Sequence, residues 1–174
     1  MHNQIVNGIP VNGERLVESV AEFNRIGQTV PPGHFNADRV GFYTGMQLEE
    51  MAETITAISK GVLNQKDHEH MLMFAGILDS WGKEFKSGKH YGAVLRADRE
   101  ELLDGGVDVA VVTIGSLCYQ TPKYLEAISA VLTANAEKAP GGIVSRDQNG
   151  KIMKPEGWKA PNLAPFVDRF NVDN

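Results

Sequence analysis

A chain of 174 residues, 42% hydrophobic and 22% charged, has the composition of a soluble globular protein with a core of its own, or of a subunit that completes its core by oligomerising. A formal net charge of −5 argues against a nucleic-acid partner, because binding a phosphate backbone needs a basic surface. Cys118 is the single cysteine, which excludes an intrachain disulfide and Cys-rich zinc sites.

In chain order, residues 1–13 read as an irregular arm carrying Asn, Gly and Pro10, with no basic start or apolar run of a secretory signal. A first helix is predicted from Glu14 to about Ile26, with Leu16, Val20, Phe23 and Ile26 on one stripe. Pro31-Pro32-Gly33 requires a loop, after which Asn36 can cap a helix with Arg39 in its first turn. That helix runs through Glu49-Glu50-Met51-Ala52-Glu53 to Ile58 and stops near Gly61. Gln65–Phe85 forms the next, with Met71, Phe74, Ile77, Leu78 and Trp81, and Lys86–Gly92 is a loop. A helix from about Ala97 to Tyr119 carries a second acidic cluster, Glu101 to Asp108. Thr121-Pro122 opens the last helix, with proline in its favoured first turn, and the helix reaches Ala136.

Past Ala139 the character changes. Pro140-Gly141-Gly142 stops the helix, and Ser145–Lys151 reads as a turn between short extended pieces. The expected architecture is therefore all-α: a helical domain over residues 14–138, preceded by the arm and followed by a short irregular lysine- and glycine-bearing flap over 139–174. The longest apolar run, Val107–Leu117, is broken by Asp108 and too short to span a bilayer, so the expectation is a cytoplasmic protein with no membrane partner.

The two acidic clusters carry the most chemistry. On a helix Glu50 and Glu53 are three apart and Asp104 and Asp108 four apart, so each pair shares a face. Stacked like charges beside apolar neighbours are costly unless a cation joins them. Divalent metals bound through oxygen answer that cost, and Mg²⁺ in a phosphate-processing site is the commonest case. The bland alternative is a pair of solvated helix faces. Against it, Asp108 interrupts the most apolar stretch of the chain, where a carboxylate makes a poor core residue. Gly105-Gly106 also weakens that helix by about 0.8–1 kcal/mol per glycine, which points to something approaching the backbone closely. A second constellation is Asn135 and Lys138 at a helix end, followed by Asp147 to Lys151 and then Lys154. Lysines near a helix C-terminus are ordinarily dipole partners, but three around a glycine turn suit a triphosphate.

Elsewhere the plainer reading holds. His68 and His70 are two apart and splay on a helix, marking an exposed polar helix start. Cys118 has no base beside it and is expected in the core. Trp81 with Met71, Met73 and Phe74 is expected to pack against a partner helix.

The EE-x-x-E pattern at Glu49–Glu53 and the acid-x-x-x-Asp pattern before an apolar helix resemble the all-α NTP pyrophosphohydrolases, the MazG-like and phosphoribosyl-ATP pyrophosphohydrolase-like enzymes. The ending Asn135-x-x-Lys138, Asp147-x-x-Gly150-Lys151-x-x-Lys154-x-x-Gly157-Trp158-x-x-Pro161 is similar to that of phage and bacterial members, and the likeness covers roughly Val17 to Leu163. The commoner second motif is Glu-x-x-Asp; here Asp104 with Asp108 is preferred, and Glu101 with Asp104 is the alternative pair. Position 24 is Asn where relatives often have His.

The resemblance implies a homodimer or homotetramer whose subunits complete each other's helical bundle. It also implies a (d)NTP substrate, with purine deoxynucleotides (dGTP or dATP) favoured, and a phage-type protein would work in its host's cytoplasm. Mg²⁺, for which Mn²⁺ would substitute, would be held by Glu50, Glu53, Asp104 and Asp108. Glu49 would orient or deprotonate the attacking water. Lys138, Lys151 and Lys154 would hold phosphates, while Phe23, Asn24, Asn135 and Trp158 would complete the substrate site. A phosphoribosyl-ATP-type substrate and a non-enzymatic helical binding module are the alternatives.

Overall fold

The computed structural model describes residues 4–27, 33–147 and 152–167. Among these the protein is built of six α-helices and one two-stranded hairpin, which bears out the all-α class. It falls into two compact units, residues 1–33 with 103–174, and residues 34–102.

In the first unit the arm is not irregular. Strands β1 (Ile5–Val6) and β2 (Ile9–Pro10) pair antiparallel, Val6 opposite Ile9. Asn7 and Gly8 turn between them at φ 50° and 81°, the mirror-image geometry that an Asn-Gly pair adopts readily. Strands two residues long show no alternation, so only that dipeptide could have revealed them. The hairpin supplies the core: Ile9 and Val11 are buried with Leu132 and Ala136, and Leu16, Phe23, Ile26 and Ile128 pack around them. Asn7 fixes the hairpin by donating from Nδ2 to the Ala136 carbonyl at 3.0 Å.

Asn12 then caps a 3-10 turn, Gly13–Arg15, its Oδ1 accepting from the Glu14 N–H at 2.9 Å. Helix α1 (Leu16–Gly27) follows, close to the expected Glu14–Ile26. The last helix, α6 (Tyr124–Ala136), starts later than expected. Pro122 stays in the preceding turn, where Thr121 Oγ1 accepts from the Lys123 N–H at 3.1 Å. The side-chain bond ends the turn one residue after proline, so proline precedes the first helical turn instead of forming it.

Helix α5 (Arg99–Gln120) begins where Asp98 Oδ1 accepts from the N–H groups of Glu100 and Glu101. It has no buried residue: Val111 and Val112 are 62% and 66% exposed, and Cys118, expected in the core, is exposed too. The apolar run of α5 is therefore largely exposed, with Leu117 half-buried at its end. Counted over the whole helix rather than the run Val107–Leu117, α5 is long and apolar enough to cross a membrane, by length and composition only.

The second unit is an antiparallel helical hairpin with a short third helix: α2 (Ala37–Ser59), α3 (Gln65–Lys86) and α4 (Tyr91–Arg96). Asn36 caps α2 as expected, accepting from the Arg39 N–H at 3.1 Å, and Asn64 caps α3. His68 closes the hairpin through a 2.8 Å hydrogen bond between Nδ1 and the Ser59 carbonyl, while His70 is exposed. Helix α4 replaces part of the expected Lys86–Gly92 loop; six residues are too few to show a period. At its start the Glu84 carboxyl is held below its ordinary value by a hydrogen bond from Lys89, and next by His90.

The helices of the hairpin touch at Gly45 and Gly82. A Cβ on Gly45 would stand 2.6 Å from the Gly82 carbonyl oxygen, and one on Gly82 would stand 2.8 Å from that of Gly45. Two backbones so close leave no side chain free to move aside. Gly45→Ala should therefore destabilise the protein by about 1–2 kcal/mol in denaturant unfolding, because overpacking outweighs the ~1 kcal/mol that alanine gains in a helix. A gain in stability would contradict the close crossing.

Candidate functional site

The predicted site residues lie in both units. Glu49 and Glu50 are neighbours on α2 in the hairpin unit, with Glu53 one turn further on. Glu50 and Glu53 are exposed. Glu49 is half-buried, its carboxylate accepting from Lys86 Nζ on α3 at 2.5 Å. That partner, 37 residues away, leaves no local signature in the sequence. Asp104 and Asp108 are exposed on α5, as is the alternative Glu101.

Pairs three or four apart on a helix hold their Cβ atoms about 5–6 Å from each other. Each helix therefore offers two carboxylates, and an all-oxygen donor set of this kind suits Mg²⁺ or Mn²⁺ rather than a soft metal. Among the described residues no three His, Cys, Asp or Glu side chains stand together as a metal site within the chain. The two pairs belong to different units, one in residues 34–102 and the other in 103–174.

Part of the second predicted constellation, Asn135, Lys138 and Lys154, is brought together around Trp158. Trp158 of the tail donates its indole Nε1–H to the Ala134 carbonyl near the end of α6, at 2.7 Å. Lys138, two residues past the helix, donates from Nζ to Asn135 Oδ1 at 2.8 Å and lies 5.1 Å from the centre of the Trp158 ring. Lys154 Nζ lies 4.5 Å from the same centre. An ammonium within about 6 Å of an aromatic centroid is attracted by the ring quadrupole. Lys151 lies outside the described residues. Arg146 and Ile152 form an antiparallel bridge on either side of it, so the expected extended pieces are paired.

Beside the ring an open groove of about 770 Å³ runs between α6 and the tail, lined by Thr133, Ala134, Glu137, Pro155, Trp158 and Pro161. No local pattern marks Thr133, Glu137 or the prolines as lining residues, since only the folded tail sets them opposite α6. Phe23, by contrast, packs half-buried against the hairpin core, with Asn24 half-buried next to it on α1.

The indole bond is the clasp of this region. Trp158→Ala should speed tryptic cleavage at the exposed Lys159 several-fold, whereas Trp158→Phe, which keeps the ring but drops a hydrogen bond of about 1 kcal/mol, should have a smaller effect. Equal cleavage in all three proteins would show that the tail is held by other contacts.

Compared with known protein families, curated proteins and solved structures, the chain matches none.

Proposed function

We propose that the protein is an Mg²⁺-dependent nucleoside triphosphate pyrophosphohydrolase, converting a (d)NTP and water to a (d)NMP and pyrophosphate, with dGTP or dATP as the favoured substrates. The observation that supports this most is the gathering of Asn135, Lys138, Lys154 and Trp158 at the end of α6, a cationic and aromatic patch suited to a nucleotide. The acidic pairs on α2 and α5 complement it with the donors a divalent cation requires.

In this reading Lys138 and Lys154 hold phosphate oxygens as point charges, and Trp158 offers a ring for stacking. Asn135 keeps Lys138 pointed along the ring, and Phe23 supports the wall formed by α1. Glu50, Glu53, Asp104 and Asp108 would hold Mg²⁺, which would supply positive charge to neutralise the triphosphate. Glu49, fixed by its ion pair with Lys86, orients the attacking water. That water forms a new bond to the α-phosphorus, the bond to the bridging oxygen breaks, and pyrophosphate leaves.

The surface of α5 carries the rest of the proposal. A helix with no buried residue, bearing Leu103, Val107, Val111 and Val112 outward, calls for a covering partner. Among the described residues nothing lies within 4 Å of a Cβ at Gly105, Gly106 or Gly115, so these residues do not account for the glycines. A second copy laid along α5 in a cytoplasmic homodimer or homotetramer supplies both. Its acidic residues disfavour the bilayer as the covering phase. The same exposed helix also favours a second reading, a non-enzymatic assembly module whose acidic face binds a metal or a basic partner.

Incubating the protein with Mg²⁺ and each NTP, dNTP and phosphoribosyl-ATP, and measuring pyrophosphate, separates these readings. Release from dGTP or dATP that EDTA abolishes is the expected result. Release from phosphoribosyl-ATP alone moves the substrate to a nucleotide conjugate, and no release from any supports the assembly module.

A further inference from the structure

The groove between α6 and the tail has free hydrogen-bonding groups of a particular kind. Its helical wall is a single face of α6, where Ala130, Thr133, Ala134 and Glu137 recur at three- and four-residue spacing. Thr133 Oγ1 commits its proton to the Ser129 carbonyl at 2.9 Å, which leaves it only acceptor lone pairs. Trp158 commits its indole N–H to the Ala134 carbonyl. On the tail, Asn162 Oδ1 accepts from the Ala164 N–H at 3.2 Å, so the amide nitrogen of Asn162 is left to donate.

Glu137 follows Ala136, the last residue of α6. Among the described residues its carboxylate has no hydrogen-bond or ion-pair partner. An ionised carboxylate only accepts, through two oxygens side by side. The groove therefore sets a paired acceptor on the helix and a single donor on the tail. Its volume of about 770 Å³ lies within the range of small-molecule sites.

Of the four DNA bases, guanine alone presents two N–H donors side by side, N1–H and the 2-amino group, with the acceptor O6 next to them. Adenine presents one donor, its 6-amino group, beside the N1 lone pair, which a carboxylate oxygen repels. Cytosine and thymine each have one donor position on that edge.

We infer that the groove is a guanine site, in which Glu137 accepts from N1–H and the 2-amino group while Asn162 donates to O6. The inference rests on the reading of Lys138, Lys154 and Trp158 as a nucleotide site, and it narrows the substrate from dGTP or dATP to dGTP. Discrimination by a bidentate pair of this kind is on the order of tenfold or more. An amide at position 137 would accept from the 6-amino group of adenine and donate to its N1, so Glu137→Gln should reverse the preference.

Two measurements on the full chain test this. Equilibrium dialysis with EDTA in place of Mg²⁺ reads binding of dGTP and dATP without turnover, and pyrophosphate release with Mg²⁺ reads kcat/KM for each. The parent should favour dGTP at least tenfold in both, and Glu137→Gln should favour dATP. A preference for dGTP in dialysis that Glu137→Gln reverses, with no pyrophosphate released, would keep the guanine site and remove the pyrophosphohydrolase reading. Equal binding of the two nucleotides by the parent, binding of neither, or an equal loss of both in Glu137→Gln would overturn the inference. A reversal produced by Glu156→Gln instead would give the base edge to the tail carboxylate and overturn it as well.

Discussion

Glu53→Gln and Asp108→Asn should each lower pyrophosphate release about a thousand-fold or more while leaving the helical circular dichroism and the melting temperature unchanged. Both carboxylates are exposed on α2 and α5, so replacing either by its amide removes charge without opening a cavity or stranding a buried partner. In the proposed reaction each helps to hold a cation that stabilises charge on the triphosphate, a role worth several kcal/mol. About 4 kcal/mol is a thousand-fold in rate. Glu49→Gln provides the contrast. It loosens a half-buried ion pair with Lys86 between α2 and α3, so stability should fall with it, by about 1 kcal/mol or less after solvent screening. Near-native turnover in both the Glu53 and Asp108 variants would remove these residues from the site.

Gly13→Ala should be among the most destabilising single substitutions in the chain. A Cβ at position 13 would stand 2.3 Å from the Leu125 carbonyl oxygen, with the carbonyl carbon and Cα of Leu125 at 3.0 Å. All three are backbone atoms of α6, so relief requires moving the helix off the 3-10 turn. The move would also stretch the 2.7 Å hydrogen bond that Gly13 N–H donates to Ser129 Oγ. Overpacking of about 2–3 kcal/mol plus a hydrogen bond of about 1 kcal/mol gives roughly 3–4 kcal/mol. For a protein of this size that lowers the melting temperature by about 6–16 °C. Ser129→Ala, which loses only the hydrogen bond, should cost about 1 kcal/mol. A Gly13→Ala protein as stable as the parent would mean that the turn does not lie against α6 as described.

The helices were legible because they are long, capped and periodic. Asn36 before Ala37 and the stripe Leu16, Val20, Phe23 and Ile26 carry their own signals, although Val20 of that stripe stays exposed. The hairpin at Ile5–Pro10 and helix α4 were not, since elements of two and six residues are too short for any period to emerge. Only Asn7-Gly8 pointed to the first of them. Buried versus exposed apolar runs could not be told apart either: Val107–Leu117 has the composition of a core segment, yet none of its residues is buried and most are exposed. Burial there depends on a partner, which composition does not specify.

The lysine–tryptophan cluster was legible as a set of residue types but not as a geometry. Asn135 and Lys138 share a helix end, so their contact follows from spacing. Trp158 reaches Ala134 across 24 residues of turn and extended chain, and only the fold of that segment places Lys154 on the same ring. Lys86 on Glu49 belongs to the same class, a contact made by two helices crossing through paired glycines.

The most direct test of the proposed chemistry is to hydrolyse dGTP and dATP with the protein and Mg²⁺ in ¹⁸O-labelled water, and to follow the label by mass spectrometry. Attack at the α-phosphorus places one ¹⁸O in the nucleoside monophosphate and none in pyrophosphate. Label in pyrophosphate, or release of orthophosphate with a diphosphate product, would contradict the assignment of Lys138, Lys154 and Trp158 to a pyrophosphohydrolase site.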